Sequence, residues 1–229
     1  MKKLFCFVFG ILFFAHAAAM ADTLALRAFH APTNIGKNKY GLVNYLTKDL
    51  DSDYDKLRII AYWIASHIAY DDYKYSTEKG VNVKEMNYNY DILEKRSGIC
   101  GDFAQLFAEM ANIAHAGRVS IVNGYVLENV RKIKKTYRKK DVANMTGHSW
   151  NLVQLDGRKF FVDTTFMARS TLRQNSNRRV SSLRHRIDLQ KRGRSHEVNT
   201  EVNDFFFDFT PKTEVRSQGM LHLQNKYIK

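Results

Sequence analysis

Arg96-Ser97-Gly98-Ile99-Cys100-Gly101-Asp102-Phe103-Ala104-Gln105-Leu106-Phe107-Ala108-Glu109-Met110 is the stretch on which the fold turns. Phe103, Leu106, Phe107, Met110 and Ala114 recur at helical spacing, and Gly117 suits the left-handed position that follows a helix. A helix is therefore expected from about Cys100 to Ala116, with the cysteine in its first turn. Unpaired amides and the positive end of the helix dipole favour a thiolate there. Gly98 and Gly101 on either side are expected to leave room for a substrate backbone, and the Cys100 amide is a candidate oxyanion donor. A lone cysteine is otherwise an inert, buried small hydrophobe, so its neighbours must decide between the two readings.

Downstream, Val119–Val122, Tyr125–Leu127, Ser149–Leu155 and Lys159–Asp163 are rich in β-branched and aromatic residues and read as strands. Asp156-Gly157 between the last two marks a hairpin. Asp204–Phe209 supplies one more strand. Upstream, Asp53 and Asp55 open an amphipathic helix over 52–69 whose apolar positions are Leu57, Ile60, Ala61, Ile64 and Ile68, and a shorter helix is expected at Tyr90–Lys95. Helices first and antiparallel strands afterwards make an α+β fold.

A thiolate needs a base. Of the histidines beyond the leader (His30, His67, His115, His148, His185, His196 and His222), only His148 heads an expected core strand, in Gly147-His148-Ser149-Trp150-Asn151. If the hairpin closes with Leu155 opposite Arg158, Asp163 becomes the diagonal neighbour of His148 on one face, at about 7–8 Å between Cα atoms. A carboxylate at that range can orient an imidazole. A one-residue bulge in the turn would break this parity.

Gly98-Ile99-Cys100-Gly101-Asp102-Phe103-Ala104, Gly147-His148-Ser149-Trp150-Asn151 and Phe161-Val162-Asp163-Thr164-Thr165 together resemble the catalytic blocks of the transglutaminase-like superfamily, in particular its kyphoscoliosis-peptidase-like bacterial members. The segment Lys56–Asp71 is similar to the helix before the core in that family, and the resemblance runs from about Asp53 to Phe166. It implies a papain-like α+β core with the cysteine helix packed on an antiparallel sheet. It also implies a nucleophile at Cys100, a base at His148 and an orienting carboxylate at Asp163. The chemistry implied is acyl transfer through a thioester, with water or an amine as acceptor. No cofactor or metal is expected.

The chain has 229 residues, 45% hydrophobic, with 2 Pro and 12 Gly, which suits one packed domain and excludes collagen-like or proline-rich linker classes. Its start, Met1-Lys2-Lys3 followed by the apolar run Leu4–Phe14 and the small-residue stretch Ala15–Ala21, reads as a secretory leader cut near Ala21. A secreted or periplasmic location follows. Cys6 precedes the apolar run rather than ending it, so a lipid anchor there is disfavoured. Cleavage removes Cys6, leaving Cys100 as the sole thiol in an oxidising compartment, and takes the net charge from +13 to +11 through loss of Lys2 and Lys3. The remaining organisation is expected to be a lead-in at 22–51, a catalytic domain at 52–210, and a tail at 211–229 packed on it.

Asp49, Asp51, Asp53 and Asp55 alternate as in a calcium loop, but the sixth position is Tyr54 and the twelfth Ile60, where glycine and glutamate belong. They read instead as charges at a helix start. Arg131, Lys132, Lys134, Lys135, Arg138, Lys139 and Lys140 put seven cations in ten residues, and 169–194 is rich in arginine and serine; both read as exposed loops. The first is either a solvated surface or a site for an anionic partner; nucleic acid is not expected for an exported chain. The second oxyanion donor is open among Asn87, Asn89 and Tyr90. Trp63 and Trp150 read as core. Two functions stand side by side: a monomeric secreted cysteine enzyme that hydrolyses, or less readily transamidates, protein or peptide amides, and a catalytically silent module that binds an anionic surface.

Overall fold

The computed structural model describes residues 23–32, 35, 38–70, 92–143, 145–168, 200 and 202–228. The leader, the oxyanion candidates Asn87, Asn89 and Tyr90, and the loop over 169–194 lie outside the described residues. After a short helix over 23–29, α1 (Lys39–Thr47) and α2 (Asp53–His67) lead through β1 (Ala69–Tyr70) to α3 (Ile92–Lys95), β2 (Ser97–Gly98) and α4 (Cys100–Ile113). Then come β3 (Arg118–Leu127), α5 (Lys139–Val142), β4 (Thr146–Leu155), β5 (Arg158–Val162), β6 (Phe207–Phe209), α6 (Pro211–Gln218) and β7 (Leu221–Gln224). The last five strands form an antiparallel sheet in the order β6-β5-β4-β3-β7. β1 and β2 make a separate parallel pair. The architecture is α+β, with α4 laid against β3 and β4.

Ser52 caps α2 by accepting the Asp55 amide at 3.3 Å, and Asp53 and Asp55 sit in the first turn, where the helix dipole favours them. The amphipathic expectation for this helix is too narrow. Ile59 to His67 are all buried, because α1 and α4 cover one side and the segment 204–206 covers another. There Tyr62 donates to Asp204 at 2.9 Å and Arg58 pairs with the same carboxylate. Trp63 and Trp150 are core residues, each 1% exposed. Phe103, Leu106, Phe107 and Met110 bury the inner stripe of α4, each at roughly 1.5–3 kcal/mol of transfer free energy. Asn151 of β4, fully buried, donates to the Ala104 carbonyl at 3.0 Å and ties sheet to helix.

The hairpin closes as its sequence requires: Leu155 opposes Arg158, and Asn151 opposes Val162. Asp156 and Gly157 both adopt positive φ, 48° and 76°, the two-residue turn that leaves no bulge. α4 ends three residues short of expectation, at Ile113, because His115 already turns left-handed (φ 51°) before Gly117 does (φ 64°). The two strands expected at 119–122 and 125–127 are one, β3, continuous through Gly124. Of the strand expected at 204–209, only Phe207–Phe209 is extended; Asp204–Phe206 is a 3-10 turn capped by the Asn203 side chain.

The segment 211–229 does more than pack on the domain: α6 and β7 belong to it, and β7 pairs with the β3 residues Gly124 to Leu127. Gly124 is what permits this. A Cβ there would collide with the Leu223 carbonyl and the Trp150 ring. Gly124→Ala should therefore cost about 1–3 kcal/mol through overpacking, readable as a lowered urea midpoint with an unchanged slope. A midpoint equal to wild type would show that β7 adjusts freely.

Candidate active site

Cys100 is the first residue of α4, and its neighbours are set by how that helix begins. The Asp102 carboxylate accepts the Ile99 amide at 2.8 Å, closing the helix start. This corrects the expectation for Gly98: it is buried, and a Cβ on it would lie 2.8 Å from the Asp102 Cβ, so it makes room for the cap rather than for a substrate. Gly101 has nothing within 4 Å of its missing Cβ among the described residues. The Cys100 thiol is 8% exposed and free of any disulfide. Burial alone would raise its pKa, but hydrogen bonding from His148 and the Ser149 amide, with the charge of His148, brings it below the ordinary value.

His148 leaves β4 with its Nε2 against Asp163 Oδ2 at 2.6 Å, so Nδ1 is the ring nitrogen that Asp163 does not engage. Its ring stacks on Trp150 at 5.9 Å and meets the edge of Phe166 at 4.9 Å. Burial opposes an imidazolium here, but the Asp163 carboxylate and the thiol favour it, and the pKa is pushed up to about 10. Asp163 follows directly on β5. Its amide donates to the Phe206 carbonyl at 2.9 Å, and its Oδ1 accepts the Phe166 amide at 2.9 Å, as the cap of a helical turn over 164–168. Burial would raise the Asp163 pKa; the two imidazoles beside it hold the carboxyl well below the usual range instead.

The second imidazole is His222 on β7, whose Nε2 lies 2.6 Å from the same Oδ2. Its Nδ1 faces the fully buried carboxylate of Glu214 on α6. Sequence reasoning passed over both residues. His222 sits in Leu221-His222-Leu223, which carries no mark of chemistry, and Glu214 lies on a helix whose other residues are mostly exposed. The ligand atoms of His148, Asp163 and His222 fall within 4.8 Å of one another, a grouping that invites a metal. The contacts of 2.6 Å are hydrogen-bond distances, however. A first-row ion at about 2.0–2.2 Å from each ligand would force these atoms well apart.

An α+β core with a cysteine at the head of a helix, set against a histidine strand, is a papain-like arrangement. Residues 40–163, 124 of the 229, match the Transglutaminase-like superfamily, and the chain belongs to it. It is 31% identical over 128 residues to the kyphoscoliosis peptidase of Mus musculus, a match that covers 55% of this chain and 17% of that protein. A crystal structure of a TGase is similar at 17% identity with a TM-score of 0.38, covering 58% of this chain and 31% of the other.

Proposed function

We propose that this chain is a cysteine hydrolase of protein or peptide amide bonds; what supports the reading is a His148 held by the Asp163 carboxylate at 2.6 Å, with Cys100 as the first residue of α4. The Sγ thiolate adds to the amide carbonyl, and the Cys100 backbone amide stands ready for the developing oxyanion. His148, as imidazolium, gives its proton to the departing amine as the carbon–nitrogen bond breaks, leaving a thioester. His148, now neutral, takes a proton from water, whose oxygen attacks the thioester; the acid leaves and the thiolate returns. An amine in place of water completes a transamidation by the same steps. Hydrolysis is favoured because nothing in the sequence marks a groove for a lysine side chain. Incubating the protein without its first 21 residues with a peptide library and a labelled primary amine separates the outcomes. Cleaved peptides support hydrolysis, label in peptides means transamidation, and either must vanish in Cys100→Ala.

The reading includes export of the chain and removal of residues 1–21, which the leader pattern supports. No helix among the described residues is long and apolar enough to cross a membrane.

The basic segment supports a second role. Arg131, Lys132, Lys134, Lys135, Arg138, Lys139 and Lys140 are all exposed, while Tyr137 among them is buried at 3% against Val142, Leu221 and Leu223. A buried tyrosine thus pins the charged run to the fold. Asp141 lies 3.8 Å from Lys134. If the run meets an anionic surface, binding to anionic vesicles should fall steeply between low salt and 0.15 M, where the Debye length is about 8 Å. Replacing Lys134, Lys135, Lys139 and Lys140 with glutamine should abolish it. Equal binding by that variant would make the run a solvated surface.

A further inference from the structure

Behind Asp163 lies a second pair of buried charged groups that the acyl-transfer steps do not use. His222 and Glu214 are fully buried, and both nitrogens of the His222 ring face carboxylates: Nε2 faces Asp163 Oδ2 at 2.6 Å, and Nδ1 faces Glu214 Oε1. Glu214 Oε2 also accepts the His222 backbone amide at 3.4 Å. An ionised carboxylate only accepts hydrogen bonds, so an imidazole placed between two of them must donate from both nitrogens and is a cation. Burial works against that charge, and the two carboxylates outweigh it, raising the His222 pKa. Aromatic rings close the cage: Trp150 and Phe209 at 4.9 Å and Phe166 at 5.5 Å. The titratable groups facing His222 among the described residues are Asp163, Glu214 and, at 5.5 Å between rings, His148.

We propose that His222 and Glu214 are positioning residues for Asp163, extending the Cys100–His148–Asp163 chain by two groups that fix its carboxylate without changing its charge. The inference rests on the reading of Cys100 as a nucleophile. Counting charges shows why two groups are needed. His222 alone would cancel the negative charge that holds the His148 imidazolium. With Glu214 added, Asp163, His222 and Glu214 again sum to −1. Asp163 thereby gains a second donor on Oδ2 while presenting His148 with the field of a single carboxylate. Stability gives no reason to keep such a pair, since apolar residues of similar size in place of a buried ion pair are often as stable or more so.

The test uses two variants of the chain without residues 1–21: His222→Phe combined with Glu214→Leu, which removes both charges together, and His222→Gln, which keeps one N–H donor. Each is checked for folding by its melting temperature. Alkylation of Cys100 by iodoacetamide is then followed from pH 4 to 9. With its donor from His222 gone, Asp163 binds a proton at higher pH, and His148 loses its carboxylate with it. The acid limb of the paired variant should therefore move up into the pH range followed. Its rate at pH 5 should drop at least tenfold while its rate at pH 8 stays within twofold, and His222→Gln should fall between it and wild type. A purely structural role would lower the melting temperature and leave the profile in place. Profiles superimposable on wild type in both variants overturn the proposal. If the wild-type protein itself lacks a fast-reacting thiol below pH 7, the nucleophile reading has failed and takes this inference with it.

Discussion

In a His148→Ala variant, alkylation of Cys100 should lose its independence of pH. A free thiol with a pKa near 8.5 becomes tenfold less reactive for each unit below it, so between pH 8 and pH 5 the variant should slow by roughly a thousandfold. The wild-type rate should fall far less steeply across the same span. The reasoning is one of sign. Burial raises the thiol pKa, but the hydrogen bond and charge of His148 bring it below the ordinary value, and His148 keeps its proton up to about 10. The imidazolium therefore favours the thiolate, and loss of the imidazole removes the groups that oppose burial. A wild-type rate that climbs tenfold per unit to pH 8 would return Cys100 to the status of an inert buried thiol.

The second large effect is on stability. Asp163→Ala should cost about 3–5 kcal/mol, because it leaves two buried imidazoles without the carboxylate that both face. At roughly 2–4 °C per kcal/mol for a domain of this size, the melting temperature should fall by roughly 6–20 °C. A loss below 1 kcal/mol would mean that water or a neighbouring group replaces Asp163. The same coupling makes stability depend on pH. The Asp163 pKa is depressed on folding, so its contribution is present above about pH 4 and lost as pH falls below that. That of His148 is raised, so its contribution is whole below about pH 6.5 and fades as pH rises through about 10. The melting temperature should accordingly be highest between about pH 4 and 6.5.

Much of the fold was legible because its signals are local. The repeat from Phe103 to Ala114 defines the cysteine helix, and Asp156-Gly157 sets a register that carries His148 and Asp163 to one place. That register ends with Asn151 opposite Val162, so Asp163 does not pair with β4 at all; it meets His148 by capping the turn that follows β5. The diagonal argument reached the right carboxylate although Asp163 lies beyond the ladder. Gly98 misled because a glycine beside a nucleophile and a glycine beneath a capping aspartate look alike in sequence. His222 and Glu214 were illegible for a different reason: His222 meets Asp163 from 59 residues away along the chain, a distance no periodicity spans, and Glu214 is tied to the site only through His222. The all-round burial of α2 was hidden because part of its cover comes from Asp204 and its neighbours, about 140 residues downstream.

The pairing of Leu127 with Leu221 gives the site a place in time as well as in space. The β4–β5 hairpin closes over two residues, and the contact of α4 with β4 joins segments about fifty residues apart. β7 returns to β3 only after nearly a hundred residues, and loop closure over such a span delays it relative to the rest. During folding, Cys100, His148 and Asp163 should thus meet before the strand that carries His222 docks, so the carboxylate is held by its full set of donors only in the last step. A newly made chain would pass through its early compact states with its thiol already reactive near pH 8 and gain reactivity in mild acid only as its final strand is laid down. Recovery of thiol reactivity at pH 5 later than at pH 8, in a refolding experiment from urea, is the kinetic mark of that order.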